Sequence, residues 1–286
     1  MISRMISEKT IKDLEAKALQ TRKDIMVQLL GAGGGHSGPS LSMVELCVAL
    51  YFNHAKLDPK NPEWEDRDRI VLGKAHACET VYSCLARLGY FSTDLLPTYK
   101  HFGSMLQGHA DAWSTVGLDY SGGSLGQGLS FALGLALAAR AKAKYDNARQ
   151  EGAPNHRVYC ISGDGECHEG EIWEAAMAAA HYKCSNLIHI VDNNQFSVGI
   201  TIDKGMQLEP FVEKWRSFGW WAIEIDGHNF RQILEALQLA DNISGKPKCI
   251  IARTVKGKGI PAYEKSHAHM IPMTEKDYER LIKTIY

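Results

Sequence analysis

Between Arg157 and Ala252 the chain changes its apolar period again and again, and this alternation limits the fold more than any other feature. Arg157-Val158-Tyr159-Cys160-Ile161, Leu187 to Val191, Trp221-Ala222-Ile223-Glu224-Ile225 and Cys249-Ile250-Ile251-Ala252 are short apolar runs of strand length. Glu171 to His181 and residues 230–240 lie among them and carry apolar residues at helical spacing. Strands separated by helices cannot pair as hairpins, so the pattern predicts an α/β fold: a parallel sheet flanked by helices. Ligands of such sheets bind beyond the carboxyl ends of the strands.

The flanking regions add helices. Ile11, Leu14, Ala18, Ile25 and Leu29 recur three, four or seven residues apart, which predicts an amphipathic helix ending near the glycines at 31–35. Pro39 and Ser40 restart a helix through Leu41, Val44, Cys47, Val48 and Tyr51. Asp66 to Leu72 reads as a short strand and Glu79 to Leu88 as a helix. Residues 101–128 look irregular, and a buried small-residue helix from Leu129 to Tyr145 follows. There is no internal repeat and no long Pro/Gly/Ser linker, so residues 1–286 read as one domain, with 1–60 forming a helical extension that carries a histidine loop.

Lys plus Arg number 32 against 33 for Asp plus Glu, which gives no global electrostatic case for nucleic acid or an anionic membrane. Apolar residues at 45% and charged ones at 23% exclude a disordered or low-complexity chain. The seven cysteines (47, 78, 84, 160, 167, 184 and 249) are an odd number without a short secreted framework, so free thiols in a reducing cytoplasm are expected. Met1-Ile2-Ser3-Arg4 runs into Glu8 and Lys9 without an apolar signal core. The longest apolar stretch, Phe131 to Ala139, is well short of the ~20 residues that span a bilayer.

Gly33, Gly35 and Gly38 fit G-x-G-x-x-G, with Asp58 near the offset of a ribose-binding acid. A dinucleotide site needs a strand before the glycines and a helix opening on them. Here the preceding segment has helical periodicity and Pro39 follows, so the match reads as a glycine-rich loop near some other ligand. The chemistry concentrates instead between Gly163-Asp164-Gly165 and Asp192-Asn193-Asn194. Asp164 and Asn194 each follow a strand end, one crossover helix apart, so their side chains meet at one sheet edge. A carboxylate and an amide carbonyl are hard oxygen ligands of the kind Mg²⁺ shares with phosphate oxygens. That pairing reads as a metal–diphosphate site.

With Glu169-Gly170, Trp173-Glu174-Ala175 and Asn186-Leu187-Ile188, this stretch resembles the thiamin-diphosphate motif in its transketolase form. The resemblance extends along nearly the whole chain. It takes in Gly35-His36-Ser37-Gly38, Gly73-Lys74-Ala75-His76-Ala77, Gly108-His109, Ser124-Leu125-Gly126-Gln127-Gly128 and Asp226-Gly227-His228. It implies a thiamin-diphosphate-binding (diphosphate-type) domain, and an N-terminal subunit of a split transketolase that works with a separate C-terminal subunit carrying the pyrimidine domain, in an α2β2 assembly. The implied activity is transfer of a two-carbon ketol unit between sugar phosphates, or in a specialised sugar or sulfosugar pathway, with thiamin diphosphate and Mg²⁺ (or Ca²⁺ or Mn²⁺).

By the same resemblance, Asp164, Asn194 and the carbonyl of Phe196 would bind the metal. Gly163 and Gly165 would face the diphosphate, with His76 on a phosphate oxygen. Ser124, Leu125 and Gly126 would lie on the aminopyrimidine side. Glu169 would sit at the subunit interface, and His36, His109 and His228 would line the channel, binding donor hydroxyls and moving protons, work that suits imidazole near neutral pH. His54, His156 and His181 lack that glycine-flanked context. The α subunit of a 2-oxo-acid dehydrogenase first component shares the central signature, but the histidines at 36 and 109 argue against it. A non-catalytic subunit of the same fold is opposed by the presence of both Asp164 and Asn194.

Some positions depart from the pattern. Ser121-Gly122-Gly123 replaces the more usual Ser-Thr-Gly and is expected to alter packing beside the cofactor. Cys167-His168, with Cys160 nearby, has the wrong spacing for structural zinc. Lys256 and Lys258 read either as phosphate contacts or as a solvated loop.

Overall fold

The computed structural model describes residues 6–145, 156–264 and 269–286; the segment 1–5, read above for a leader, lies outside them. Helix α1 (Glu8–Gly31) opens on Ser7, whose hydroxyl accepts the Thr10 N–H, and buries Leu14, Ala18, Ile25 and Leu29 as their spacing requires. A two-residue strand β1 (Gly34–Gly35) follows. The expected helix from Pro39 to Tyr51 is broken instead into α2 (Ser37–Ser42), α3 (Val44–Ala49) and a π-turn over Leu50–His54. Met43 leaves helical geometry at the junction (φ −100°, ψ 11°).

Strand β2 (Arg69–Leu72) is shorter than the run from Asp66. Asp68 serves as an anchor there: its carboxylate accepts the N–H of Lys56 at 2.8 Å and of Arg157 at 2.7 Å. Helix α4 (Cys78–Leu88) follows, then the irregular stretch, then α5 (Gln127–Tyr145), which starts two residues earlier than expected. Helix α5 is buried on one side only. Leu129, Ala132, Ala136 and Ala139 face the core while Phe131, Gly134 and Ala138 are exposed.

The centre follows the alternation closely. It runs β3 (Val158–Gly163), α6 (Gly170–His181), β4 (Leu187–Asn193), β5 (Phe196–Ser197), β6 (Ile200–Thr201), α7 (Phe211–Ser217), β7 (Trp221–Asp226), α8 (Phe230–Asn242) and β8 (Lys248–Arg253). Strand β9 (Ile271–Pro272) and helix α9 (Glu275–Leu281) come last. Strands β2, β3, β4, β8 and β7 form one parallel sheet in that order. Central strand β4 is buried along its whole length, as a strand covered by helices on both faces must be.

Ile188 and Ile190 point to a core shared with α1, α3, α4 and α8, and Leu187, His189 and Val191 to a second core under α5, α6 and α7. The N-terminal helices thus share one apolar core with the sheet. Each fully buried aliphatic side chain there contributes about 1.5–3 kcal/mol. Among the described residues, no helix is long and apolar enough to cross a membrane.

Candidate active site

The carboxyl ends of β2, β3 and β4, and the loop after β8, surround a cavity of about 230 Å³. Register explains the convergence: Gly163 pairs with Asp192 and Asp192 with Ala252, so the loops leaving three adjacent strands start at one level. Asp164 is 1% exposed, and its carboxylate accepts the N–H of Gly165 at 2.8 Å and of Gln195 at 2.5 Å. The second bond ties the loop after β3 to the loop after β4, next to Asn194. Burial, with the charge of Asp192, pushes the Asp164 carboxyl up to about 7 against those two donors and Lys74.

Asn194 accepts the Phe196 N–H on Oδ1 (3.1 Å) and donates from Nδ2 to Asp192 Oδ2 (3.3 Å) and Ser42 Oγ (3.4 Å). Asp192 is a hub. It receives Ser42 Oγ at 2.5 Å, the hydroxyl of Thr254 and the ammonium of Lys74, so four segments of chain meet on one carboxylate. One carboxylate, one amide oxygen and a nearby main-chain carbonyl make a hard-oxygen donor set. Lys74 and Lys256, each 2% exposed, also line the cavity, and two buried ammonium groups fit a diphosphate.

Four imidazoles meet in the same cavity. The His36 ring lies 5.2 Å from His76, 5.8 Å from His109 and 5.3 Å from His269, with His76 and His269 5.0 Å apart. Burial, then the charge of Lys100, lowers His36 to about 4; burial and Lys74 lower His76 to about 2; burial and Lys256 lower His269 to about 4. All three are therefore neutral at pH 7, each with one ring N–H to donate and one ring nitrogen to accept a hydrogen bond from a hydroxylated ligand. His36 Nδ1 is buried and, among the described residues, has no hydrogen-bond partner.

The loop bearing His36 is held from beneath by Glu79 in the first turn of α4. This fully buried carboxylate accepts the His36 N–H (3.0 Å), the Tyr99 hydroxyl (2.9 Å) and the Ser40 hydroxyl (2.7 Å). A Cβ on Gly35 would lie 2.7 Å from Glu79 Oε1, which reserves that position for glycine. The glycine-rich segment is thus a clamp for a histidine. It follows helix α1 and forms β1, antiparallel to β9, which is unlike the strand–loop–helix of a dinucleotide site.

His36, His76, His109, Leu125, Gly163, Asp164, Gly165, Asn194 and Phe196 all line the cavity. His228 does not. Its Nδ1 bonds Glu45 at 2.9 Å and its Nε2 accepts the Val255 N–H at 2.8 Å, so both ring nitrogens serve the framework. His269 takes the place in the cluster expected of His228, brought beside His36 by the β1–β9 pair: Gly35 precedes His36 in sequence and Ile271 follows closely on His269. Nothing local in the sequence marks it, since Ala268 and Met270 flank it without a glycine.

Ser124 and Glu169 are exposed near the rim, and Gly126 (φ +92°) packs against Glu169, where a Cβ would approach to 2.8 Å. The Gly126 N–H is taken up by Glu166 Oε1 at 3.1 Å. Glu166 has no motif-level signal in the sequence. Buried, and pushed up to about 7 by that burial, it also accepts the Gly163 N–H and so braces the Ser124-Leu125-Gly126 loop against the Asp164 loop. At the Ser121-Gly122-Gly123 departure, Gly122 packs where a Cβ would be 2.6 Å from the Ala75 methyl.

Lys256 lines the cavity, whereas Lys258 reaches Tyr286 and Glu264. Cys167 is buried on the Gly163 carbonyl and His168 bonds the Met206 carbonyl; among the described residues no group of three or more such side chains is placed to hold a metal ion.

Residues 15–286 match the family model described as "Transketolase, thiamine diphosphate binding domain". The chain belongs to the transketolase family, as an N-terminal subunit of the split kind. It is 41% identical over 278 residues to the 6-deoxy-6-sulfo-D-fructose transketolase subunit SqwG of Clostridium sp. (strain MSTE9), covering 97% of both chains. It is 39% identical over 254 residues to an apulose-4-phosphate transketolase subunit of Actinobacillus succinogenes, covering 88% of each. Rat transketolase is 33% identical over 98% of this chain but only 43% of its own length. Among solved structures, transketolase from Leishmania mexicana superposes with a TM-score of 0.87 at 29% identity, over 97% of this chain and 41% of that one.

Proposed function

We propose that this chain and a separate C-terminal subunit carrying a pyrimidine domain, assembled as α2β2 in the cytoplasm, transfer a two-carbon ketol unit from a ketose donor to an aldose. The observation that carries the reading is the meeting of four imidazoles on the cavity that holds Asp164 and Asn194. The side chains of Asp164 and Asn194 and the carbonyl of Phe196 would hold Mg²⁺, or Ca²⁺ or Mn²⁺ in its place. Gly163, Gly165, His76 and Lys256 would hold the diphosphate of thiamin diphosphate, and Ser124, Leu125 and Gly126 would shape its pyrimidine side. When bound, this cofactor supplies the carbanion chemistry that breaks and remakes a carbon–carbon bond.

The chain's own groups do the rest. His36, His109 and His269, which meet at the cavity, would hydrogen-bond the hydroxyls of the donor. These imidazoles would orient those hydroxyls and relay their protons transiently along the hydrogen bonds as the bond to carbon breaks and forms. Glu169, exposed where α6 begins, would meet the partner subunit. Donors with an anionic end, phosphate or sulfonate, are proposed from the sugars named for the relatives.

The test mixes the two subunits with ribose 5-phosphate as acceptor and either xylulose 5-phosphate or 6-deoxy-6-sulfo-D-fructose as donor. Turnover is expected only with both subunits, thiamin diphosphate and a divalent ion, and chelation abolishes it. Asp164→Ala and Asn194→Ala are each expected to weaken cofactor binding more than about 100-fold, beyond the loss usual for residues that merely support a metal ligand. Turnover by this chain alone, or pyruvate decarboxylation by the pair, contradicts the proposal.

A further inference from the structure

A second polar cavity, about 350 Å³, lies at the opposite, amino edge of the sheet. Its walls are the segments entering β3, β4 and β8 and the end of α8. Six residues of β3 separate it from Asp164, about 20 Å at the rise of a strand. Occupancy of one site therefore leaves the other sterically free.

Lys248 opens β8 and is 3% exposed. Among the described residues its ammonium has one hydrogen bond, to the carbonyl of Ser185, which leaves two of its three N–H donors without a protein acceptor. Arg157 faces the same space; burial and that neighbouring positive charge lower Lys248 to about 8. The nearby carboxylate, Asp241, is already engaged by Arg157 at 2.8 Å and lies 3.5 Å from His54. His156 adds little charge, because burial and the charge of Arg69 hold it below the usual imidazole range. Asn186 is 4% exposed; its amide nitrogen donates to the Ala136 carbonyl, and among the described residues its buried Oδ1 has no partner.

Among the lining residues two cations, Arg157 and Lys248, face one carboxylate, Asp241, with the buried Asp68 behind them on the Arg157 N–H. The unused N–H donors of Lys248 call for anionic oxygens. We propose that this amino-edge cavity is a second ligand site, taking a small compound that carries a tetrahedral oxyanion, phosphoryl or sulfonyl. The assignment rests on this cavity alone and is independent of the reaction at the carboxyl edge.

The experiment is an amide ¹H–¹⁵N titration of the full chain with inorganic phosphate, sulfate or methanesulfonate, each against chloride at equal ionic strength. Saturable shifts are expected at Ser185, Asn186, Ser244 and Lys248, separate from any at Gly163 and Gly165. Binding of phosphate alone or of the sulfur oxyanions alone assigns the ligand to that class. Ser244 lines the rim and is exposed, so Ser244→Asp adds a negative charge without touching the core. It is expected to weaken binding at least about tenfold, as is Lys248→Met, through direct charge repulsion or loss. Shifts confined to Gly163 and Gly165, shifts that follow chloride equally, or an unchanged midpoint in Ser244→Asp overturn the proposal.

Discussion

Replacing Glu79 tests how the His36 loop is held. In the native chain Oε1 accepts the His36 N–H and the Tyr99 hydroxyl, and Oε2 accepts the Ser40 hydroxyl. Glu79→Ala leaves three buried donors without an acceptor, each costing about 1–3 kcal/mol, so ~3 kcal/mol is the least expected loss. That is a large share of the roughly 5–15 kcal/mol typical of a folded domain. Glu79→Gln behaves differently. Its carbonyl can keep the His36 and Tyr99 bonds, while its amide faces a Ser40 hydroxyl that turns to accept, so about 1 kcal/mol is lost. Burial already holds the Glu79 carboxyl above the ordinary range, and the neutral amide suits that environment. Urea unfolding of both variants supplies the stabilities, and kcat and KM with the partner subunit report on His36. Equal destabilisation by Ala and Gln, or an Ala variant within about 1 kcal/mol of wild type, would refute the reasoning.

Two further outcomes are expected of histidines outside the cavity. His228→Ala removes the acceptor of the Val255 N–H and a partner of Glu45, so it is expected to cost about 2–4 kcal/mol while changing kcat far less than His36→Ala. A loss of kcat matching His36→Ala at unchanged stability would return His228 to the channel. His189 is fully buried against Trp215 and lowered to about 3 by burial, so between pH 6.5 and 3 the unfolded chain binds a proton that the folded chain refuses. Its contribution is intact above pH 6.5 and lost as pH falls through that window, at up to about 1.4 kcal/mol per pH unit. His189→Leu is expected to flatten the acid limb of the stability curve by that slope; parallel curves would count against it.

The strands of the central sheet were legible because buried parallel strands are written as unbroken apolar runs, as in Leu187 to Val191. The break at Met43 was not, since α2 and α3 keep compatible helical spacing on either side of it. Asp66 to Asp68 extended the expected β2 because a strand end and a capping turn look alike in a polar run. At the site, Asp164 and Asn194 were readable from their place after two strands with one crossover between them. Glycines beside His36, His109 and His228 correctly marked loops, but flanking residues say nothing about which way a ring turns, and His228 turns to Glu45. His269 depends on a two-residue strand pairing across almost the whole chain, and Glu166 and Asp192 gain their roles only from donors that tertiary structure brings to them.

Strand β8 comes after β7 in the chain yet is wedged between β4 and β7 in the sheet. A growing polypeptide therefore lays down the loops of Asp164 and Asn194 well before the strand that closes their flank has been synthesised, and Lys256 and His269 arrive later still. Such non-local pairings are the slow step of folding. A ligand that needs all of these residues recognises only molecules in which the late strand has been inserted. Its binding energy, about 2.7 kcal/mol at a hundredfold excess over Kd, then falls entirely on finished chains. Occupancy of the cavity would therefore stabilise only molecules in which the sheet is complete, and half-built molecules would gain nothing from the ligand.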